Sequence, residues 1–212
     1  MEAEVFSLFP TPLYVNTYEE DTSEITKYFD SCPMQPGKGA YGEVSKNSYI
    51  IDHSVCKPLA NWFMQCFEEY ATELMRYKYT KLKFSQSWLS YKQPGMFHKA
   101  HVHPNTLLAG VFYYDCQPED AAICFSKEVK SFNRPYLEPS LLDDYQNHPF
   151  SQEEIFFKPQ QNNFIIFPSY LTHGVPPNTT NRVRKSLGVN VLTSGTLGDK
   201  ETISEIIFSR YV

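Results

Sequence analysis

Three of the six histidines in this chain fall in one short stretch, Phe97-His98-Lys99-Ala100-His101-Val102-His103-Pro104-Asn105. His101 and His103 are next-but-one neighbours. On an extended strand that spacing turns both imidazoles to the same face. His173 lies far downstream, in Phe167-Pro168-Ser169-Tyr170-Leu171-Thr172-His173-Gly174. A close pair and one remote histidine are what a three-point metal site on a β-scaffold requires. Imidazole suits iron, zinc, copper and nickel, and three protein ligands leave positions open for chemistry. Any one of these histidines alone is more often a surface, turn or packing residue; the combination carries the reading. His98 would face the opposite way on a strand and is expected outside the ligand set. His53 and His148 stand alone and read as structural.

A second group follows His173. If 183–190 is a strand, Arg184, Ser186, Gly188 and Asn190 share one face. Val183, Leu187 and Val189 share the other, with Lys185 the exception. A polar face backed by an apolar one makes sense where the polar face points into a ligand-holding barrel. Arginine recognises a carboxylate through two parallel hydrogen bonds, and a serine hydroxyl adds one more. The competing reading is an exposed, charged strand end. Tyr91, on the strand 86–92, is placed to reach the same carboxylate, although a tyrosine in so tyrosine-rich a chain is more often a packing residue.

These residues need a scaffold, and the composition points to strands. Aromatic residues make up 16% of the 212 residues, an excess that favours β-structure. Apolar runs at 82–92, 100–103, 107–115, 121–126, 154–158, 163–168 and 184–193, and a further one within 204–212, are short and separated by turn signals. That pattern predicts a sandwich or barrel. Residues 55–76 carry apolar side chains every three or four positions, from Val55 through Trp62, Phe63 and Phe67 to Met75. They predict an amphipathic helix lying on a sheet. A shorter helix is expected from Asp21 or Ser23 to Phe29, with one of the two as its cap. Residues 33–48 read as loop. The proline-rich segment 127–152 reads as a lid or binding loop. The expected organisation is one domain, 1–212. It comprises an N-terminal extension over 1–80, a core over 82–193 and a C-terminal segment over 194–212.

The remaining bulk properties exclude more than they assign. The net charge of −5 offers no basic footprint for general nucleic-acid binding. Cys32, Cys56, Cys66, Cys116 and Cys124 are odd in number and never spaced as CxxC, which argues against a disulfide framework and a cysteine zinc site. Reduced thiols in the cytoplasm are the expectation. No apolar run is long enough for a membrane helix or a signal segment.

Taken together, His101-x-His103-Pro104-Asn105, Leu108-Ala109-Gly110-Val111-Phe112-Tyr113-Tyr114, Phe167-Pro168-Ser169-Tyr170-Leu171-Thr172-His173-Gly174-Val175 and Arg184-x-Ser186 resemble a group of 2-oxoglutarate/Fe(II)-dependent oxygenases of bacteria and bacteriophages. The resemblance covers roughly residues 84–193. It implies a double-stranded β-helix (jelly-roll, cupin-like) core, mainly β, with flanking helices on one sheet, a place that helix 55–76 fits. His101 and His173 match the family's iron-binding histidines. Arg184 and Ser186 match the pair that holds the distal carboxylate of 2-oxoglutarate. Position 103 is a departure: the wider superfamily usually has Asp or Glu there. Three-histidine iron sites occur in thiol dioxygenases of related cupin shape. Asp115 as a substitute carboxylate is discounted, because it lies at the far end of strand 107–115, on the order of 25–30 Å from His103.

The implied cofactors are Fe(II) and 2-oxoglutarate. The implied reaction hydroxylates an unidentified substrate and releases succinate and CO2. Asn105 and Arg134 are candidates to touch that substrate, Arg134 from within 127–152. The expected partners are a small-molecule or peptide substrate and, as an option, a second copy in a homodimer. The expected location is the cytoplasm of a bacterial or phage-infected cell. Two other readings stay open at this point. One is a three-histidine cupin dioxygenase that uses no 2-oxoglutarate. The other is a non-catalytic metal-binding jelly-roll module. A zinc hydrolase is weaker, since no glutamate follows the histidine pair as a base.

Overall fold

The computed structural model describes residues 3–37, 42–78, 81–127, 143–144 and 147–207. The strands are β1 (Tyr14–Thr17), β2 (Met34–Pro36), β3 (Glu43–Ser45), β4 (Lys81–Lys92), β5 (His98–His101), β6 (Leu108–Asp115) and β7 (Ile123–Ser126). They continue with β8 (Glu154–Phe157), β9 (Asn163–Pro168), β10 (His173–Val175), β11 (Arg184–Ser194), β12 (Thr196–Leu197) and β13 (Ile206–Ile207). A seven-stranded sheet runs β1-β9-β6-β11-β4-β3-β2 and a four-stranded sheet runs β5-β10-β7-β8. A small pair, β12-β13, stands apart. Every strand ladder among the described residues is antiparallel. The two main sheets, with helices on the larger, make the expected jelly roll.

Period-two alternation decides which side chain enters which core. On β9, Phe164 and Ile166 pack towards the helices, while Ile165 and Phe167 pack between the sheets. Leu89 and Tyr91 of β4 and Leu187, Val189 and Val191 of β11 also point to the helix side. The helix layer is α1 (Ser23–Ser31) and α2 (Lys57–Glu69). Phe63 and Phe67 of α2 are fully buried, and Phe63 stacks on Phe164 at 4.2 Å between centroids. Each such ring removes apolar area from water worth about 1.5–3 kcal/mol. Gly110 lets this layer close down: a Cβ there would lie 2.6 Å from the Phe164 ring.

The helix expected over 55–76 is present but divided. A 3-10 turn, Ser54–Cys56, precedes α2, and Tyr70–Leu74 widen into a π-turn. The N-cap of α1 is Thr22, not Asp21 or Ser23, and its side chain makes no capping bond. The Asp21 carboxylate instead accepts from the amide and hydroxyl of Ser23, the first helical residue. Residues 33–48 are not all loop. Within them β2 and β3 form a hairpin that extends the large sheet beside β4. Three-residue strands show no alternation to read; their partner strand supplies the hydrogen bonds. The same holds for β10, which the sequence pattern did not mark as a strand. The segment proposed as a lid lies largely outside the described residues, and Arg134 with it. No helix among the described residues is long and apolar enough to cross a membrane.

Candidate metal centre

The small sheet brings the histidines together by register. His173 on β10 lies directly opposite His101 on β5, and the two rings are 4.4 Å apart between centroids. His103 follows on the turn after β5, where its amide donates to the Ser169 carbonyl. Its ring centroid lies 5.2 Å from that of His101 and 4.9 Å from that of His173. One ring nitrogen from each of the three lies within 4.8 Å of the others.

The opposite nitrogen of every ring is engaged. His101 Nδ1 bonds the Lys99 carbonyl at 2.9 Å, His173 Nδ1 bonds the Leu171 carbonyl at 2.9 Å, and His103 Nδ1 bonds Asn190 Oδ1 at 2.7 Å. A carbonyl oxygen accepts and cannot donate, so Nδ1 carries the proton in each. The unprotonated Nε2 is left for a metal, and the carbonyl partners hold the rings in place. Burial pushes all three imidazoles below the ordinary histidine range, His173 to about 3. They are therefore neutral at pH 7, the state that ligates. His53 and His148 do not take part. Each accepts a backbone amide two residues on, and His53 also stacks on Tyr28.

His98 stays outside the three-nitrogen group but not for the expected reason. It stacks on His101 at 4.3 Å and lines the same cavity. Pairing His173 with His101 and Val175 with His98 sets the four residues 98–101 of β5 against the three residues 173–175 of β10, a bulge that returns His98 to the inner face.

The cavity is lined by the histidines and by Trp88, Ser90, Lys92, Tyr113, Arg184, Ser186 and Gly188, with Val111, Ile123 and Val175 as apolar walls. Arg184 and Ser186 therefore face inward, as the alternation on β11 predicts. Arg184 is 3% exposed, and its Nε donates to the Ala121 carbonyl. Its Nη2 and the Tyr113 hydroxyl are buried with no hydrogen-bond partner among the described residues. Orphaned donors in a closed pocket are a ready receptor for a carboxylate. A Cβ on residue 188 would lie 2.6 Å from the Trp88 ring, so glycine leaves the indole room in the cavity beside His103.

Tyr91 belongs elsewhere. It is the odd member of β4, on the helix face, where its hydroxyl donates to the Phe29 carbonyl and accepts from Tyr114. Side chains of neighbouring strand positions point oppositely, and the inward neighbours are Ser90 and Lys92. Asn105 sits in a left-handed turn (φ 56°), exposed and not part of the lining. Asp115 pairs with Arg182 and Lys185, away from the histidines. Lys92, Tyr113 and Trp88 were missed in the sequence. The available signal was parity: Trp88, Ser90 and Lys92 are the even positions of β4, in register with Gly188, Ser186 and Arg184.

A jelly roll with three clustered imidazoles that could hold a metal and a cationic pocket beside them fits a non-haem metal oxygenase scaffold. Residues 86–190 match the model of a family described as "Putative 2OG-Fe(II) oxygenase". That stretch is similar to the family over about half of the chain, and the chain is an Fe(II)- and 2-oxoglutarate-dependent oxygenase. Solved structures agree on the fold. A Pseudomonas putida prolyl-4-hydroxylase is 13% identical over 87% of this chain and 94% of its own, with a TM-score of 0.58. HygX from Streptomyces hygroscopicus, solved with nickel and 2-oxoglutarate bound, is 11% identical over 85% and 82%, with a TM-score of 0.53. A prolyl hydroxylase from Trichoplax adhaerens, in complex with a hypoxia-inducible-factor peptide fragment, is 11% identical over 85% and 83%, with a TM-score of 0.59. No curated protein sequence matches the chain.

Proposed function

We propose that His101, His103 and His173 hold the Fe(II) through Nε2, and that Arg184 and Ser186 hold the far carboxylate of 2-oxoglutarate. One observation carries the reading. Three neutral imidazoles, each with Nδ1 spent on a carbonyl oxygen, face a pocket lined by an arginine whose Nη2 has no partner among the described residues. Fe(II) with O2 and 2-oxoglutarate supplies the oxidation of a substrate C–H bond to an alcohol, with succinate and CO2 as the other products. The chain's own contribution is position and dryness. β11 presents Arg184 and Ser186 on the face that also carries Asn190, the partner of His103. Trp88, Val111, Ile123 and Val175 form the apolar walls of the pocket, and no carboxylate among the described residues is part of its lining.

The substrate is a small molecule or a peptide segment. Support comes from the structurally similar enzymes, one solved with a peptide fragment. All five cysteines are free thiols, which supports a reducing, cytoplasmic setting in a bacterial or phage-infected cell.

Anaerobic addition of Fe(II) and 2-oxoglutarate is expected to give a weak visible charge-transfer band. Arg184→Ala is expected to weaken 2-oxoglutarate by about 2–4 kcal/mol, the usual cost of breaking a buried charge pair. An unchanged affinity in calorimetry would locate the carboxylate elsewhere. A panel screen for substrate-stimulated succinate release then identifies the substrate.

A further inference from the structure

Arg184 has an uncompensated twin. Lys92 is its direct register partner across β11 and β4. Both side chains line the cavity, and they are 3% and 1% exposed. Like charges placed directly opposite on an antiparallel pair repel, and a buried cation without a counter-charge is costly. Yet neither makes an ion pair among the described residues. Lys92 Nζ donates to the Ser90 hydroxyl at 2.6 Å, and the Arg184 guanidinium lies 5.2 Å from the centre of the Tyr113 ring.

The neighbouring cations show that carboxylates are at hand. Arg182 pairs with Asp115 and Asp120, and Lys185 pairs with Asp30 and Asp115. The chain neutralises the positive side chains on either side of Arg184, and among the described residues no carboxylate pairs with the two inside the cavity. His103 adds to the excess, since it stands where a carboxylate is the usual ligand. Burial, and then the Arg184 charge, already push the Lys92 ammonium down to about 8.

We infer that Lys92 is a second cation for the co-substrate, so that the far carboxylate of 2-oxoglutarate lies between Lys92 and Arg184 and Lys92 sets the preference for a dicarboxylate. This rests on the co-substrate reading above. The Ser90 hydroxyl orients the ammonium, and the buried Tyr113 hydroxyl beside Arg184 is a third donor. The pocket therefore discriminates against 2-oxo acids that lack the second carboxylate, because such a ligand leaves two buried cations unpaired.

The test is calorimetry on the full-length, Fe(II)-loaded protein under anaerobic conditions. The ligands are 2-oxoglutarate and 2-oxopentanoate, the same chain without the far carboxylate. Lys92→Met is expected to weaken 2-oxoglutarate at least about tenfold and to leave 2-oxopentanoate within about twofold. Without ligand it should melt no lower than wild type, since a bare charge has been removed. Lys92→Gln serves as the second variant if the first does not fold. Unchanged 2-oxoglutarate binding in either variant overturns the role of Lys92. So does an equal loss for both ligands, which would place Lys92 away from the far carboxylate. Arg184→Met separates the two levels. If it weakens 2-oxoglutarate while the Lys92 variants do not, the arginine clamp stands and the lysine inference falls. If the wild type binds both ligands equally and neither position matters, the co-substrate reading itself falls.

Discussion

Asn190→Leu tests how a histidine can occupy the third ligand position. The Asn190 side chain is buried, and its Oδ1 holds His103 Nδ1–H at 2.7 Å. Leucine keeps the volume and removes the acceptor. The stranded N–H then costs about 1–3 kcal/mol, which the ring can relieve by rotating or by moving its proton to Nε2. Either response withdraws the metal-facing lone pair. Loss of such a partner lowers metal affinity by roughly 10- to 100-fold, or about 1.4–2.8 kcal/mol. Asn190→Asp should behave oppositely. It keeps the acceptor and adds a negative charge behind the ring, which makes His103 a stronger donor to a dication and restores part of the missing carboxylate's charge. The assay is competition between the protein and a chromogenic chelator for Co(II), with circular dichroism as the control for folding. A folded Asn190→Leu protein that binds Co(II) within twofold of wild type would refute the argument, and His103 would then not depend on its Asn190 partner.

Tyr91→Phe should leave 2-oxoglutarate affinity unchanged and cost about 1 kcal/mol of stability in urea unfolding, because its hydroxyl bonds join α1 to β6 rather than line the cavity. A loss of 2-oxoglutarate binding would return Tyr91 to the site. Lys92 also makes a pH prediction. Its native pKa near 8 lies below the unfolded value of 10.5, so between those limits the unfolded chain binds more protons and this group's contribution to stability rises with pH. The stability advantage of Lys92→Met over wild type is therefore full below pH 8 and should shrink by about 2 kcal/mol by pH 9.5, at 1.36 kcal/mol per unit. Urea unfolding without ligand at the two pH values measures it; a constant difference would mean Lys92 is not desolvated.

Much of the centre was legible because strand periodicity is short and strict. Arg184 and Ser186 could be put on a common face before any fold was known. So could the apolar backs of β9 and β11. For His101 and His103 the same rule gave the right neighbours by another route. β5 ends at His101, and His103 sits on the following turn, held by its amide bond to the Ser169 carbonyl. On β4 Tyr91 was chosen without regard to parity, and nothing in a single strand says which of its two faces is the inner one. That needed the neighbour: once β4 is registered on β11, Lys92 and Ser90 fall beside Arg184 and Ser186. His98 shows a different limit. Its parity was right for a regular strand, and a bulge set by β10 reversed it.

The types and order of the candidate ligands, the β-rich class and the helix that covers the large sheet were properties of the sequence itself. They depend on local spacing and side-chain chemistry, which the chain carries without folding. The tertiary structure decided which nitrogen each histidine leaves free of a carbonyl, which strand faces turn inward, and that two buried cations stand side by side without a counter-charge among the described residues. Those depend on partners distant in the chain, Asn190 for His103 and Arg184 for Lys92. Cross-strand register brings them together, and hydrophobic packing on both faces of the large sheet holds that register.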